Sequence, residues 1–262
     1  MSNNKFPVSL SKTERQIEIQ KLIKDNGRIT VSQICENYHV SEATARRDLE
    51  TLSEKGKLQR VHGGAINNSQ APPERPVIQR RSSQLEEKRK IGALAADLID
   101  DGDIIFLGSG TTVHEVAKNI QNKRNLTVIT NSLLVMEEFL DNEEVELINT
   151  GGTLRKSEYS FIGYVTEKTI KELSVSKVIL GIRAISLEQG LTNDYLPETM
   201  TDRAIMQMGS ELIIVADHTK FNRVSTVFVA PADTMNILVT SDGAPEQFLE
   251  ALRNLGVDVL TA

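Results

Sequence analysis

Seven short runs in the C-terminal two thirds of the chain constrain its fold more than anything else: DIIFL, LTVIT, VELIN, KVILG, ELIIVA, MNILVT and VDVL. Each is apolar nearly throughout rather than at every second residue, so each must be covered on both faces. Helical patterns such as VHEVAKNI, LLVMEEFL and EQFLEALRNL stand between most of them. This alternation predicts an α/β domain with a mostly parallel sheet, in which ligands bind at the carboxyl ends of the strands. An amphipathic helix carrying Ile91, Leu94, Ala95, Leu98 and Ile99 precedes the first run and closes in a DDGD turn.

The first 66 residues follow a different pattern. A helix is predicted from about Lys12 to Asp25, with Ile17, Leu22 and Ile23 on its buried side and a stop at Asn26-Gly27. Val31, Ile34 and Tyr38 face inward from a second short helix. HVSEAT then supplies a brief turn in which Ser41 N-caps a third helix, whose Ala45, Leu49 and Leu52 form one buried stripe. Glu42, Thr44, Arg46, Arg47 and Asp48 lie mostly off that stripe. Gly56 ends the helix, and KLQRVHGGAI reads as two strands around a Gly63-Gly64 turn. Three helices and a hairpin make a winged helix-turn-helix. The stretch NNSQAPPERPVIQRRSS contains three prolines and reads as a linker. The expected organisation is therefore 1–66 winged helix-turn-helix, 67–85 linker and 86–262 α/β domain.

Charge divides along the same lines. The net charge is −6, yet residues 1–65 hold 11 Lys/Arg against 8 Asp/Glu, residues 66–90 hold 6 against 3, and residues 91–262 hold 13 against 25. A basic head on an acidic body suits a DNA-binding module with a separate regulatory body, although such asymmetry is common among chains of several domains. One cysteine, Cys35, and four scattered histidines, His39, His62, His114 and His218, provide neither an internal disulfide nor metal-ligand spacing. No metal and no cofactor is expected, and Cys35 reads as a small core residue. No apolar run approaches the length of a membrane span, and MSNNKFPVSLSKTER lacks the apolar stretch of a secretory signal. A cytoplasmic protein without membrane contact is the expectation.

Two regions carry chemistry. The third helix of the head is the candidate recognition helix, since a helix fits the major groove and its exposed N-terminal residues reach base edges. The candidate DNA-contacting residues are Ser41, Thr44, Arg46 and Arg47 on that helix and Arg60 and His62 on the wing. The arginines alone would equally fit a solvated helix face. In the body, FLGSGTTVHEVA passes from strand to helix through a loop whose backbone N–H groups, with the Ser109, Thr111 and Thr112 hydroxyls, would suit a phosphate. It lacks the third glycine and the later acid of a dinucleotide site. Other polar loops follow strands: Thr130-Asn131-Ser132, Gly151-Gly152 leading to Arg155 and Lys156, and Asp217, Thr219 and Lys220 in ADHTKF. Singly, each is also what a surface loop or a cap would give; four after four strands suggest a site.

From Glu14 to Ala65 the chain resembles the DNA-binding segment of the DeoR/GlpR-type repressors of sugar metabolism. The resemblance is closest in VSEATARRDL, the Gly56-Lys57-Leu58 step and RVHGGA, and it continues through almost the whole chain. It implies a repressor of a carbohydrate catabolic operon, released from operator DNA by a phosphorylated sugar. It also implies a body like the ribose-phosphate isomerase and CoA-transferase folds. Family loops of these types bind the sugar phosphate, which assigns that role to Gly108, Ser109, Gly110, Thr111, Thr112, Asn131, Gly151, Gly152 and Lys220. One stretch departs from the family: GIRAISLEQGLTN places Arg183 where an acid is usual. Arg183 is then either a group for a second anionic ligand moiety or a structural ion-pair partner. PETMTDRAIMQM reads as a helix with Met200, Ala204 and Met208 as core.

One winged head reads only a half-site, so a homodimer or homotetramer is expected. The competing function is a sugar-phosphate isomerase-like enzyme with a DNA-binding head. That chemistry needs a positioned acid–base carboxylate, for which Asp217 and Glu198 are the candidates, and Arg183 in the loop argues against it. A head that contacts protein instead is less well served by an arginine-bearing recognition helix and wing.

Overall fold

The computed structural model describes residues 10–262 apart from Gly27, Gly56, His62, 68–70 and Pro73. Two compact units divide the chain, Met1–Gln70 and Ala71–Ala262. The first runs α1 (Lys12–Asn26), β1 (Arg28–Thr30), α2 (Val31–Tyr38), α3 (Glu42–Glu54), β2 (Leu58–Val61) and β3 (Gly64–Asn67). Thr30 opens α2 with a capping box, its Oγ1 accepting the Gln33 N–H at 3.2 Å while Gln33 Oε1 accepts the Thr30 N–H at 2.8 Å. Ser41 caps α3 as its position predicts, accepting the Thr44 N–H at 3.3 Å. β2 and β3 form the wing, and β1 adds to β3 to complete a three-stranded antiparallel sheet. At three residues, β1 is too short to show an apolar period. A Cβ at Gly64 would stand 2.2 Å from the Ile29 carbonyl oxygen, so only glycine lets the wing close on β1.

Ile19, Ile23, Ile34, Ala45, Leu49 and Leu52 form the core of this unit. Ile17, expected inside, is instead 57% exposed. It precedes Ile19 by two residues, which puts it about 200° round the helix from the buried stripe. Arg15 and Gln16 turn inward and meet Asp48 of α3. Arg15 Nε donates to Asp48 Oδ2 at 2.6 Å and Gln16 Nε2 to Oδ1 at 3.0 Å, with Asp48 buried. A polar clamp joins α1 to α3.

The second unit begins with α4 (Val77–Arg80), α5 (Leu85–Ala96), β4 (Ile104–Leu107), α6 (Thr111–Asn119), β5 (Leu126–Thr130), α7 (Leu133–Phe139) and β6 (Val145–Asn149). A hairpin of β7 (Thr153–Arg155) and β8 (Ser160–Ile162) follows, then α8 (Tyr164–Lys171), β9 (Val175–Gly181), β10 (Ala184–Ser186) and β11 (Gly190–Asn193). The chain ends with α9 (Leu196–Met206), β12 (Gly209–Ala216), β13 (Val227–Ala230), β14 (Ile237–Thr240), α10 (Glu246–Asn254) and β15 (Asp258–Thr261). The seven apolar runs are β4, β5, β6, β9, β12, β14 and β15. They form one sheet in the order β15-β14-β12-β9-β4-β5-β6, with every adjacent pair parallel.

Successive strand residues feed opposite cores. Ile105 and Leu107 pack with Ile91, Ala95, Val113 and Val116, while Phe106, Leu180 and Ile214 pack with Ile205, Phe248 and Leu252. From β4 the chain builds outward through β5 and β6, then returns to lay β9 on the other side of β4 and continues outward through β12, β14 and β15. The order reverses between β4 and β9, and loops leaving the strand ends there diverge to open a crevice.

The sequence-based boundaries need one change. Of the expected linker, 67–85, residues 71–85 fall in the second unit. The Ala71 N–H donates to Val224 O and the Val77 N–H to Ser157 O, both at 2.8 Å, and the Val77 side chain is fully buried. Prolines forbid a long helix, but they leave extended backbone free to bond to a neighbour. Met200, expected as core, is 51% exposed, and α9 buries Glu198, Thr199, Thr201 and Ile205 instead.

Candidate functional site

On α3, Arg46 and Arg47 are exposed and Thr44 is half-buried. Arg46 lies 3.2 Å from Glu42 Oε2, one turn earlier; both are open to solvent, so a stronger partner can take the guanidinium at little cost. Ser41 Oγ bonds the Thr44 N–H and lies 3.0 Å from Thr44 Oγ1, so both hydroxyls are committed to starting the helix. Arg60 donates from the wing to the Arg46 carbonyl at 3.1 Å, which ties β2 to α3. His62 lies outside the described residues. Cys35 packs half-buried against the core.

The second unit holds a cavity of about 180 Å³ at the strand-order reversal. One part of its wall comes from the residues after β4, β9 and β12. Six of the sequence-predicted ligand residues meet there: Ser109, Gly110, Thr111, Thr112, Arg183 and Lys220. Gly110, with φ +113°, turns the chain into α6, whose first N–H groups have no intrahelical acceptor. Gly108 stands just behind. A Cβ on it would lie 2.4 Å from Leu180 Cδ2, so its role is close packing of β4 on β9.

Lys220 ends a short 3₁₀ turn, His218–Lys220, whose start is capped by Asp217 Oδ1 accepting the Thr219 N–H at 3.0 Å. Glu87 of α5 pins that turn, lying 2.7 Å from His218 Nδ1 and accepting from Ser241 Oγ at 2.7 Å. Burial presses the Lys220 ammonium toward losing its proton, and the charges of Glu74 and Asp217 oppose this. Among the described residues it has no ion pair or hydrogen-bond partner.

Asn131, Gly151 and Gly152 do not reach the cavity. They follow β5 and β6, on the side of β4 away from β9, and serve the β7–β8 hairpin. Asn131 Nδ2 donates to Phe161 O at 3.0 Å, and the Gly151 carbonyl accepts from Thr166 Oγ1 at 2.6 Å. At Gly152, with φ +117°, a Cβ would stand 2.0 Å from that same hydroxyl.

Other lining residues carried no sequence signal as ligand groups: Glu74, Arg80, Lys88, Glu158, Asn193 and Asp202. Arg183 lies 2.7 Å from Glu74 Oε2, and Arg80 lies 2.9 Å from Glu74 Oε1 while also pairing with Glu158. Lys88 donates to the carbonyls of Arg80 and Ser83, at 2.9 and 2.5 Å. Glu198, weighed above only as an acid–base candidate, pairs with Arg155, whose guanidinium lies 4.5 Å from the Tyr195 ring centre. Burial raises the Glu158 pKa to about 7, with Arg80 opposing, and burial likewise raises Glu198. Asp202 is pushed well above the usual carboxylate range by burial and by Glu198, and it accepts from Asn193 Nδ2 at 2.5 Å. One end of the cavity thus offers a helix start, hydroxyls and cations. The other offers acids whose burial favours the protonated form, suited to bonding hydroxyl groups.

Comparison with known proteins agrees in both units. The DeoR-like helix-turn-helix domain matches residues 15–71, and the DeoR C-terminal sensor domain matches residues 83–242. The chain is 35% identical to the transcriptional repressor AccR of Agrobacterium fabrum over 234 residues, 89% of this chain and 91% of that one. It is 36% identical to the HTH-type transcriptional repressor GlcR of Bacillus subtilis over 251 residues, 94% of this chain and 95% of the relative. Among solved structures, a ribose 5-phosphate isomerase A from Methanocaldococcus jannaschii is similar over 53% of this chain and 55% of that one, with 17% identity and a TM-score of 0.39.

Proposed function

Because the chain belongs to the DeoR family of transcriptional regulators, we propose that it represses a carbohydrate catabolic operon and that a phosphorylated sugar releases it from operator DNA. It is a regulator, not an enzyme, in keeping with relatives named as repressors along nearly the whole chain. The α3 helix enters the major groove with Arg46 and Arg47 toward bases or phosphates, and Ser41 and Thr44 fix its start. Arg60 holds the wing beside it.

One observation supports the ligand class above the rest: the start of α6, the Ser109, Thr111 and Thr112 hydroxyls and the Lys220 ammonium, unpaired among the described residues, face one cavity at the strand-order reversal. The phosphate sits there, and the sugar hydroxyls point toward Glu158, Glu198 and Asp202. Gly108 shapes the loop, whereas Asn131, Gly151 and Gly152 shape the neighbouring hairpin.

The protein acts in the cytoplasm as a symmetric oligomer. Among the described residues no helix is long and apolar enough to cross a membrane. Tyr164 and Val165 on α8, Leu196 and Met200 on α9 and Phe228 on β13 are all at least half exposed, on elements that pack side by side. Such an apolar face suits a second copy of the chain.

Titrating sugar phosphates into wild type and Lys220→Ala, with and without operator, tests the switch. Lys220→Ala should weaken the effector by about 1.5–3 kcal/mol, roughly 10- to 150-fold, and leave DNA affinity in its absence unchanged. Operator and effector must weaken each other by the same factor. Equal effector affinity in the two proteins removes Lys220 from the site. Equal affinity with and without operator means that the bound sugar is not the signal.

A further inference from the structure

The chain enters the second unit at Ala71, directly after the DNA-binding unit, and its first residues carry a carboxylate into the cavity. Glu74, with a side chain only 11% exposed, places one oxygen 2.7 Å from Arg183 Nε and the other 2.9 Å from an Arg80 terminal nitrogen. Arg183 also donates to the Pro72 carbonyl, so one guanidinium holds this strap by side chain and by backbone. The same carboxylate acts on Lys220 through space, favouring its charged form. A buried carboxylate is costly unless cations compensate it. Here the compensating groups are those that an incoming anion needs.

We infer that Glu74 is an internal occupant of the anion end of the cavity, and that a phosphate-bearing ligand takes Arg183 from it and from the Pro72 carbonyl, loosening the hold of the second unit on Ala71, Pro72 and Glu74. The inference rests on the reading of this cavity as an anion site. A phosphate offers more negative charge and more acceptor oxygens than one carboxylate, so it can satisfy Lys220, the α6 start and Arg183 together. Val77, fully buried, and Arg80, which pairs with Glu158 and also holds Glu74 and the Arg75 carbonyl, remain as the anchor of the loosened segment. The loosened backbone then exchanges its bonds to the second unit for bonds to water. Ligand occupancy is thereby converted into a looser connection to the DNA-binding unit. It also gives Arg183 a purpose: it meets the strap when the ligand is absent and the ligand when it is present.

The test uses the full-length protein and inorganic phosphate, followed by calorimetric titration and by hydrogen exchange of peptides covering 71–76. Glu74→Gln should bind phosphate about tenfold more tightly than wild type, because no internal carboxylate must be displaced. Its strap without phosphate should exchange as fast as the wild-type strap saturated with phosphate. Glu74→Asp keeps the charge one methylene short and should fall between the two, which preserves the comparison if Glu74→Gln does not fold. Phosphate binding that is no tighter in either variant overturns the displacement, as does a strap that stays protected in saturated wild type. Failure of phosphate to bind any of the proteins defeats the anion-site reading itself, and the inference with it.

Discussion

Replacing Asp48 by alanine removes the acceptor for both Arg15 and Gln16 inside the winged unit. The carboxylate side chain is 2% exposed and the Arg15 side chain 11%, so water cannot replace what is lost. Among the described residues Arg15 would keep only the Leu10 carbonyl, at 3.3 Å. Breaking a buried pair by deleting one partner costs about 3–5 kcal/mol, and the orphaned Gln16 amide adds about 1 kcal/mol. A unit of Met1–Gln70 has a total stability of only about 4–10 kcal/mol at 0.05–0.15 kcal/mol per residue. The substitution therefore consumes most of that margin, and Asp48→Ala should lose DNA binding because the unit unfolds. Calorimetry should show the transition of the DNA-binding unit moved sharply down and that of the sensor unit unmoved. A double variant, Asp48→Leu with Arg15→Met, should recover much of the stability, because an apolar pair carries no buried charge. A single variant whose lower transition shifts by less than about 0.5 kcal/mol would refute the clamp, since changes of that size are typical of surface sites.

Arg46→Ala and Arg47→Ala should each weaken operator binding by about 1–3 kcal/mol if the side chain reads a base; if it meets only phosphate, binding should fall equally on all sequences and the salt dependence should flatten. Glu158, with a pKa near 7 in place of 4.5, binds a proton in the folded state that the unfolded chain has already lost. Stability of the second unit should therefore fall as pH rises from about 4.5 to about 7, by up to about 3 kcal/mol, and pH-dependent melting of Glu158→Gln should lack that slope. A fragment of Ala71–Ala262 should fold and sediment as the same oligomer as the full chain, whereas one starting at Glu86 lacks Glu74, Val77 and Arg80 and should melt earlier.

The parts of the fold that were legible are those set by local period. All seven apolar runs became strands of the main sheet, and Ala45, Leu49 and Leu52 are buried as their spacing requires. Local period fails where polar groups are buried. Ile17 gave way to the Arg15–Asp48 clamp, and Met200 gave way to a helix face carrying Glu198, because a buried ion pair leaves no apolar stripe to read. The strap failed for a related reason. Prolines in NNSQAPPERPVIQRRSS exclude a long helix, but do not show where the remaining backbone N–H groups find acceptors.

The ligand loops show a sharper boundary between what a sequence states and what only a structure supplies. Each candidate residue was found because it follows a strand, and that relation is local. Which strand ends share a crevice depends on sheet order, and pairing between β4 and β9 joins segments some 70 residues apart in sequence. Asn131, Gly151 and Gly152 therefore looked equivalent to Ser109 and Lys220, and the order β12-β9-β4-β5-β6 alone separates them. Arg183 was read either as a ligand group or as a structural ion-pair partner, as though one excluded the other. On the proposal above, its contact with Glu74 at the cavity wall removes that opposition, because a cation paired internally at a ligand site would serve both roles in turn. On that scheme part of the effector's binding energy goes into separating Arg183 from Glu74. Affinity and release of the strap then cannot be tuned independently: a stronger internal pair gives a weaker effector and a tighter connection to the DNA-binding unit.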